Sequence, residues 1–385
     1  MAATAATPPL LLTSSPPPLH RQPPKLLDTN PSNNTTSPSN EVTKSQIVIT
    51  SDPILSPPQP LPGYLQENEL PQDIKDLMAS LPTEKGWVAS YLHQYQGFWH
   101  TTRQLKGVIT CQREFQAQPS DVLLVTTPKS GTTWLKALTF ALMTRAHFPD
   151  MKNHHPLLTS NPHELVPFME HQYIDNGSTS PDFSSKFNSS PRVLSTHLPI
   201  GSLPMSLVES GCKVVYMCRN PKDTFVSLWC FTNRLRPSER GENSLEEAFD
   251  KFCRGVSLYG PFWDHVLGYW KESLENPRRV LFLKYEEMRR EPEKHLKTLS
   301  EFLGCPFTLE EEADGLVGEI LKLCSFENLT SLEVNKTGKL SSGEANEAFF
   351  RRGEVGDSAN HLTDEMLAIM DRITDQKLGG SELKL

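Results

Sequence analysis

The sequence has no C-x-x-C pair, and its seven cysteines, spread from Cys111 to Cys324, are odd in number. That pattern favours a reducing compartment and argues against a structural zinc; no metal is expected. No apolar run approaches the roughly 18 residues of a membrane span, so no membrane partner is expected either. Positive charge is short as well. The net charge is −8, which disfavours nucleic acid as a partner and confines any anion site to a local pocket of Lys and Arg. The first 62 residues have almost no aromatic side chains, but they hold 14 of the 32 prolines among Ser, Thr and Asn. Such a stretch cannot bury enough apolar surface to offset its chain entropy. Residues 1–70 therefore read as a disordered extension and residues 71–385 as one folded domain. The first 27 residues lack acids and are rich in Ala, Ser and Thr, as in organelle transit peptides, although the prolines are many and the arginines few. A cytoplasmic protein with a disordered tail is the expectation, with a plastid location as the alternative.

The Walker A pattern G-x-x-x-x-G-K-[ST] is also missing. In its place stands Thr126-Thr127-Pro128-Lys129-Ser130-Gly131-Thr132-Thr133-Trp134. The preceding Val122–Val125 run is long enough for one buried strand. Leu135, Leu138 and Leu142 then recur at helical spacing, predicting a helix to about Arg145. A strand, a tight turn and a helix start with a lysine, a glycine and several hydroxyls suit a phosphate or sulfate. N–H groups at a helix N-terminus and the helix dipole favour an anion, Lys129 adds a full charge, and Gly131 removes a blocking Cβ. The plainer alternative is a βα turn whose Ser and Thr cap the helix.

Along the chain, Ile74, Leu77, Met78 and Leu81 predict a helix ended by Pro82. Six aromatic and leucine side chains crowd positions 87–99, to pack on the main sheet or to line a pocket. Residues 146–190 lack sustained periodicity and read as a mobile lid or substrate-pocket wall. Strands are predicted at Val193–Thr196, Lys213–Cys218 and Val280–Lys284. Asn220 and Pro221 start one helix, residues 245–275 look helical, and Gly304 stops a further helix of about 12 residues. Alternation of this kind implies a doubly wound α/β fold: a single domain with a central parallel sheet flanked by helices, binding ligands beyond the carboxyl ends of its strands. Lys129, His197, Arg219 and Tyr285 all follow such ends.

At that edge His197 suits a general base for a substrate hydroxyl. Arg219 could hold a second anionic group through its fork of donors, with Ser227 assisting from the next helix. Singly, the two have plainer readings as a surface ion pair and a helix-interior hydroxyl. Near the C-terminus, Arg351-Arg352-Gly353 could fold over a bound phosphate. Two separated anion sites fit a nucleotide phosphorylated at both ends.

From about Leu81 to Thr363 these stretches together resemble the cytosolic sulfotransferase family, most closely its plant, flavonol sulfotransferase-like branch. The resemblance implies a P-loop-like nucleotide-binding architecture. It implies transfer of a sulfuryl group from 3′-phosphoadenylyl sulfate (PAPS) to a hydroxyl of a small, aromatic or steroid-like metabolite. It places Lys129, Ser130, Gly131, Thr132 and Thr133 on the 5′-phosphosulfate, and Trp134, Tyr285 and Phe326 around the adenine. Arg219, Ser227, Arg351, Arg352 and Gly353 fall on the 3′-phosphate, His197 as the base, and Lys129 also at the leaving phosphate. Three features depart from the family pattern. Ser358 and Ala359 replace the clamp's Trp-Lys, Ser195 stands where many animal members have lysine, and no dimerisation motif follows Thr363, which leaves the oligomeric state open. The competing expectations are a P-loop small-molecule kinase and a catalytically impaired relative that binds PAPS or its product, adenosine 3′,5′-bisphosphate (PAP).

Overall fold

Three short strands, β1 (Thr83–Lys85), β2 (Tyr91–Tyr95) and β3 (Phe98–His100), pair antiparallel ahead of the main sheet. The computed structural model describes residues 70–175, 181, 183, 191–236 and 241–385, all within one compact unit. The expected disordered extension, except for residue 70, lies outside the described residues. The aromatic stretch at 87–99 thus supplies strands as well as packing: Trp87 and Trp99 are buried, and the Trp87 indole N–H donates to the Val256 carbonyl at 2.9 Å.

The main sheet holds β4 (Val122–Thr126), β5 (Val193–Thr196), β6 (Lys213–Cys218) and β7 (Val280–Lys284), parallel and in the order β5-β4-β6-β7. All four lie where the sequence predicts them. β4 is flanked by strands on both edges and covered on both faces, so each of its five residues is buried. Alternation with period two sends its side chains to two cores. Leu123 and Val125 join Leu194, Val214 and Tyr216 on one face, packed by Phe225, Phe252, Trp263, Val266 and Met370. Val122 and Leu124 join Val215, Met217 and Leu283 on the other, packed by Leu135, Leu138, Leu296, Leu299 and Ile320. Helix Thr132–Thr144, sandwiched in that second core, is buried almost all round.

One predicted element divides. Residues 245–275 form two helices, Leu245–Cys253 and Phe262–Glu275, because Gly255 (φ +88°) and Pro261 break the run. The turn between them carries Leu258 and Tyr259 inward. Residues 146–175 hold short helices at Pro156–Leu158, Pro162–Leu165 and Gln172–Asp175. Of the expected lid, 176–180, 182 and 184–190 lie outside the described residues.

Candidate active site

The turn after β4 is built by two left-handed residues, Lys129 (φ +69°) and Gly131 (φ +102°). Position 131 tolerates no side chain: a Cβ there would lie 2.7 Å from Met217 Cε and 2.9 Å from Tyr285 Cδ2. Gly131 is also the N-cap of helix Thr132–Thr144, and no side chain caps that helix. The simple capping alternative is therefore ruled out, and the first N–H groups of the helix have no helical partner. The loop hydroxyls pair among themselves, Thr126 with Thr132 at 2.6 Å and Thr127 with Ser130 at 2.5 Å. Lys129 points its ammonium at the Phe231 ring, 4.2 Å from the centroid. Burial first, then the charges of Arg219, Arg234 and Arg351, lowers its pKa to about 7.

His197 leaves the end of β5 with its ring fixed on every side. Nδ1 lies 2.7 Å from the Thr126 carbonyl, an acceptor only, so Nδ1 carries the proton and Nε2 the lone pair. Its backbone N–H donates to Glu170 Oε1 at 3.1 Å, and its carbonyl lies 2.9 Å from His265 Nε2. The rings of Phe168 and Tyr259 flank it at 4.7 and 5.3 Å. Burial holds its pKa well below the ordinary histidine value against the pull of the Thr126 carbonyl, so the ring is neutral at pH 7.

Beyond β6, Arg219 is buried, lies 4.7 Å from the Tyr285 ring centroid and donates through Nη2 to the Glu354 carbonyl at 2.7 Å. The C-terminal segment closes on it. Gly353 (φ +66°) presses against Phe326, where a Cβ would come within 2.6 Å of the ring, and its carbonyl accepts from the Tyr285 hydroxyl at 2.9 Å. Arg351 and Arg352 both bond Asp357. Burial pushes the Asp357 pKa up, but hydrogen bonds from Asn360 and Arg351 and the two arginine charges outweigh it and hold it at about 2. The Nε atoms of Arg219 and Arg351, both buried, have no partner among the described residues. Trp134 meets Tyr285 edge-on at 5.6 Å. Cations on the loop after β4 and beyond β6, with an aromatic pair beside Arg219, fit a nucleotide with anionic groups at both ends.

Comparison with known proteins agrees. The sulfotransferase domain family matches residues 119–382. Two Arabidopsis thaliana relatives, cytosolic sulfotransferase 12 and cytosolic sulfotransferase 5, are 49% and 50% identical over 325 and 320 residues. They cover 84% and 83% of this chain and 97% and 98% of their own. A solved Arabidopsis thaliana sulphotransferase superposes with a TM-score of 0.67 at 43% identity, covering 85% of this chain and all of its own. A mouse sulfotransferase solved with PAP gives 0.57 at 27% identity, covering 76% of this chain and 96% of its own. The chain belongs to the sulfotransferase family. It is a PAPS-dependent transferase acting on a hydroxyl acceptor.

In this sulfotransferase one cavity of about 760 Å³ gathers every site residue predicted from the sequence except Ser130. The Ser130 hydroxyl turns inward, to Thr127 and, at 3.4 Å, to Thr224. The expected pocket wall at 87–99 is corrected: none of those residues lines the cavity, since Trp87, Leu92, Tyr95 and Trp99 pack into or against the core and Tyr91 faces solvent. The same cavity is also lined by Phe168, His171, Phe183, Phe231, Leu258, Tyr259 and Phe349, and Gln104 reaches it from helix Thr102–Glu114. Sequence reading missed Lys136, His163 and Glu170. His163 and Glu170 lie within the 146–190 segment, where the histidine of Asn161-Pro162-His163 was the available signal. Among the described residues no group of His, Cys, Asp or Glu is placed to hold a metal ion, and no helix is long and apolar enough to cross a membrane.

Proposed function

We propose that this chain moves the sulfuryl group of PAPS onto a hydroxyl of a small aromatic or steroid-like acceptor, with His197 as base. The observation that carries this reading is the commitment of His197 Nδ1 to the Thr126 carbonyl at 2.7 Å, which keeps the Nε2 lone pair available on a ring that lines the cavity. His197 Nε2 takes the acceptor's hydroxyl proton as that oxygen bonds to sulfur. The bond from sulfur to the bridging phosphate oxygen breaks, and its electron pair stays on the phosphate. Lys129 and the first N–H groups of the helix stabilise that charge, so positioning and electrostatics do most of the work. Lys129, Ser130, Gly131, Thr132 and Thr133 are assigned to the 5′-phosphosulfate, with Ser130 acting through its backbone and its bond to Thr127. Trp134, Tyr285 and Phe326 are assigned to the adenine, and Arg219, Ser227, Arg351, Arg352 and Gly353 to the 3′-phosphate. Phe168, Phe183, Leu258 and Phe349 support an apolar ring system as acceptor. The relatives' names favour the cytosol over a plastid.

The test is calorimetric titration of PAP and of ATP into wild type and Arg219→Ala, followed by turnover of His197→Ala. PAP is expected to bind far more tightly than ATP, with the preference lost in Arg219→Ala. His197→Ala is expected to lose at least ~100-fold in kcat, the low end of general-base contributions. Equal binding of the two nucleotides would bring back the kinase reading. Near-normal turnover would remove His197 from the mechanism.

A further inference from the structure

Lys136 is fully buried one turn into the helix behind the donor loop, and among the described residues no carboxylate pairs with it. Packing alone does not require nitrogen there, since a methionine would fill the same space without the cost of burying a charge. Its Nζ instead lies 3.0 Å from His163 Nδ1 and 3.4 Å from the centroid of the Phe168 ring. The other face of the imidazole is equally engaged: His163 Nε2 lies 2.9 Å from Thr133 Oγ1. Thr133 and Lys136 stand three residues apart and so share one side of their helix. His163 reaches them from Pro162–Leu165, whose start is fixed by Asn161 through a capping box. Asn161 is itself buried and donates to Asn335 Oδ1 at 2.9 Å. The His163 ring is held between Phe168, stacked at 5.6 Å, and Phe349 at 4.3 Å.

The donors and acceptors in this row can be counted. Burial and the Lys136 charge hold the His163 pKa well below the ordinary value, so the ring carries one proton. Burial pushes the Lys136 pKa well below the ordinary lysine value, with the Glu170 charge opposing it; the Phe168 face 3.4 Å from Nζ and an anion bound at Thr133 both favour the ammonium form. An ammonium has no lone pair and can only donate. Lys136 then gives a proton to the hydrogen bond with Nδ1, which places the ring proton on Nε2, directed at Thr133 Oγ1. With its oxygen accepting from His163, Thr133 has its own hydrogen left for the cavity, which it lines. An anion there meets a donor and not a lone pair.

We propose that Lys136 and His163 are positioning residues. They form a directed chain, Lys136 to His163 to Thr133, that commits the Thr133 hydroxyl hydrogen to the phosphosulfate of the donor. This rests on the reading that the donor loop holds the 5′ end of PAPS. Oriented hydrogen bonds to an anion are charge-assisted, and one fixed in advance costs no reorganisation as charge develops.

The experiment is a double-mutant cycle on kcat/KM for PAPS, joining Thr133→Val with His163→Phe, which keeps the ring packing but removes both nitrogens. His163→Phe alone is expected to lose about 10-fold or more, the scale of a hydrogen bond to a charged group. In the Thr133→Val background it should cost little further, because its route to the donor is already cut. His163→Gln can accept from Lys136 and donate to Thr133, and is expected to recover most of the activity. Lys136→Met gives a second cycle should His163→Phe not fold, with the same non-additivity expected. Losses that multiply in the double variants, or a His163→Gln no better than His163→Phe, overturn the relay. Wild-type kinetics in Thr133→Val alone would instead overturn the assignment of Thr133 to the donor, which is a separate failure.

Discussion

Lys129 is the residue where conformation and charge are both held against their preferences. Its φ of +69° lies in the left-handed region, where a non-glycine residue costs about 1–3 kcal/mol unless its surroundings fix it. Burial, together with the charges of Arg219, Arg234 and Arg351, brings its pKa to about 7. In the empty pocket the side chain is therefore close to half-protonated at neutral pH. A polyanionic nucleotide favours the ammonium form, so binding draws a proton onto Lys129. The sign follows: the free protein holds that proton fully well below pH 7 and loses it as pH rises, so affinity for PAP falls with rising pH. Calorimetry of PAP binding at about pH 7.5, above the second phosphate ionisation near 6, in two buffers of different ionisation heat, should register uptake of a fraction of a proton. Lys129→Met should abolish both the uptake and the pH slope. Uptake unchanged in that variant would assign the proton elsewhere.

At the scale of elements, the C-terminal clamp is anchored by a carboxylate of the helix Pro221–Leu235. Asp223 accepts the N–H of Gly356 at 2.7 Å, the N–H of Ser358 at 2.9 Å and, at 3.3 Å, Nη2 of Arg219. The serine that replaces the family's tryptophan thus enters the anchor through its backbone, which any residue supplies. Asp223→Asn removes the charge and leaves at least one donor poorly met. The expected outcome is weaker PAP binding and a stability loss of about 1.5–3 kcal/mol, the worth of a hydrogen bond to a charged group. Ser358→Ala should leave both near wild type. Thermal unfolding and calorimetry on the two variants check this, and a larger loss in Ser358→Ala than in Asp223→Asn would contradict it. The same elements mark how far the sequence could be read. β4 and β6 announce themselves because a central strand covered on both faces is an almost continuous apolar run, and the edge strands β5 and β7 show as shorter β-branched and leucine runs. The residues just beyond their carboxyl ends are positioned by that fact alone, which is why the sequence already placed Lys129, His197, Arg219 and Tyr285 along one edge of the sheet. β1–β3 carry no such signal, since their faces are only half covered. Helix Thr102–Glu114 had a legible start in the capping box of Thr101 and Gln104, ahead of Leu105, Val108 and Ile109. The burial of Lys136 and His163 follows from tertiary packing on every side of two short stretches, which no local pattern encodes.

For the molecule as a whole, the question is where the cooperative unit begins. The sulfotransferase domain match begins at residue 119, so the proline-rich extension lies outside it. Among the described residues the first well-buried apolar side chain is Ile74, which packs with Leu105 and Ile109 in a small cluster completed by Leu70, Leu77, Met78 and Leu81. We propose that the folding domain begins at this cluster, as the boundary near residue 70 implied. A chain starting at residue 70 keeps every one of these contacts. It should match the full chain in thermal midpoint, and in kcat/KM to within about twofold, the range of changes that touch no packed feature. A chain starting at residue 82 strips the cover from Leu105 and Ile109, each worth roughly 1.5–3 kcal/mol when buried. It should unfold at a clearly lower temperature and take with it helix Thr102–Glu114, from which Gln104 reaches the cavity. If the shorter deletion already lowers the midpoint, the first 69 residues contribute to the fold and the boundary moves toward the N-terminus.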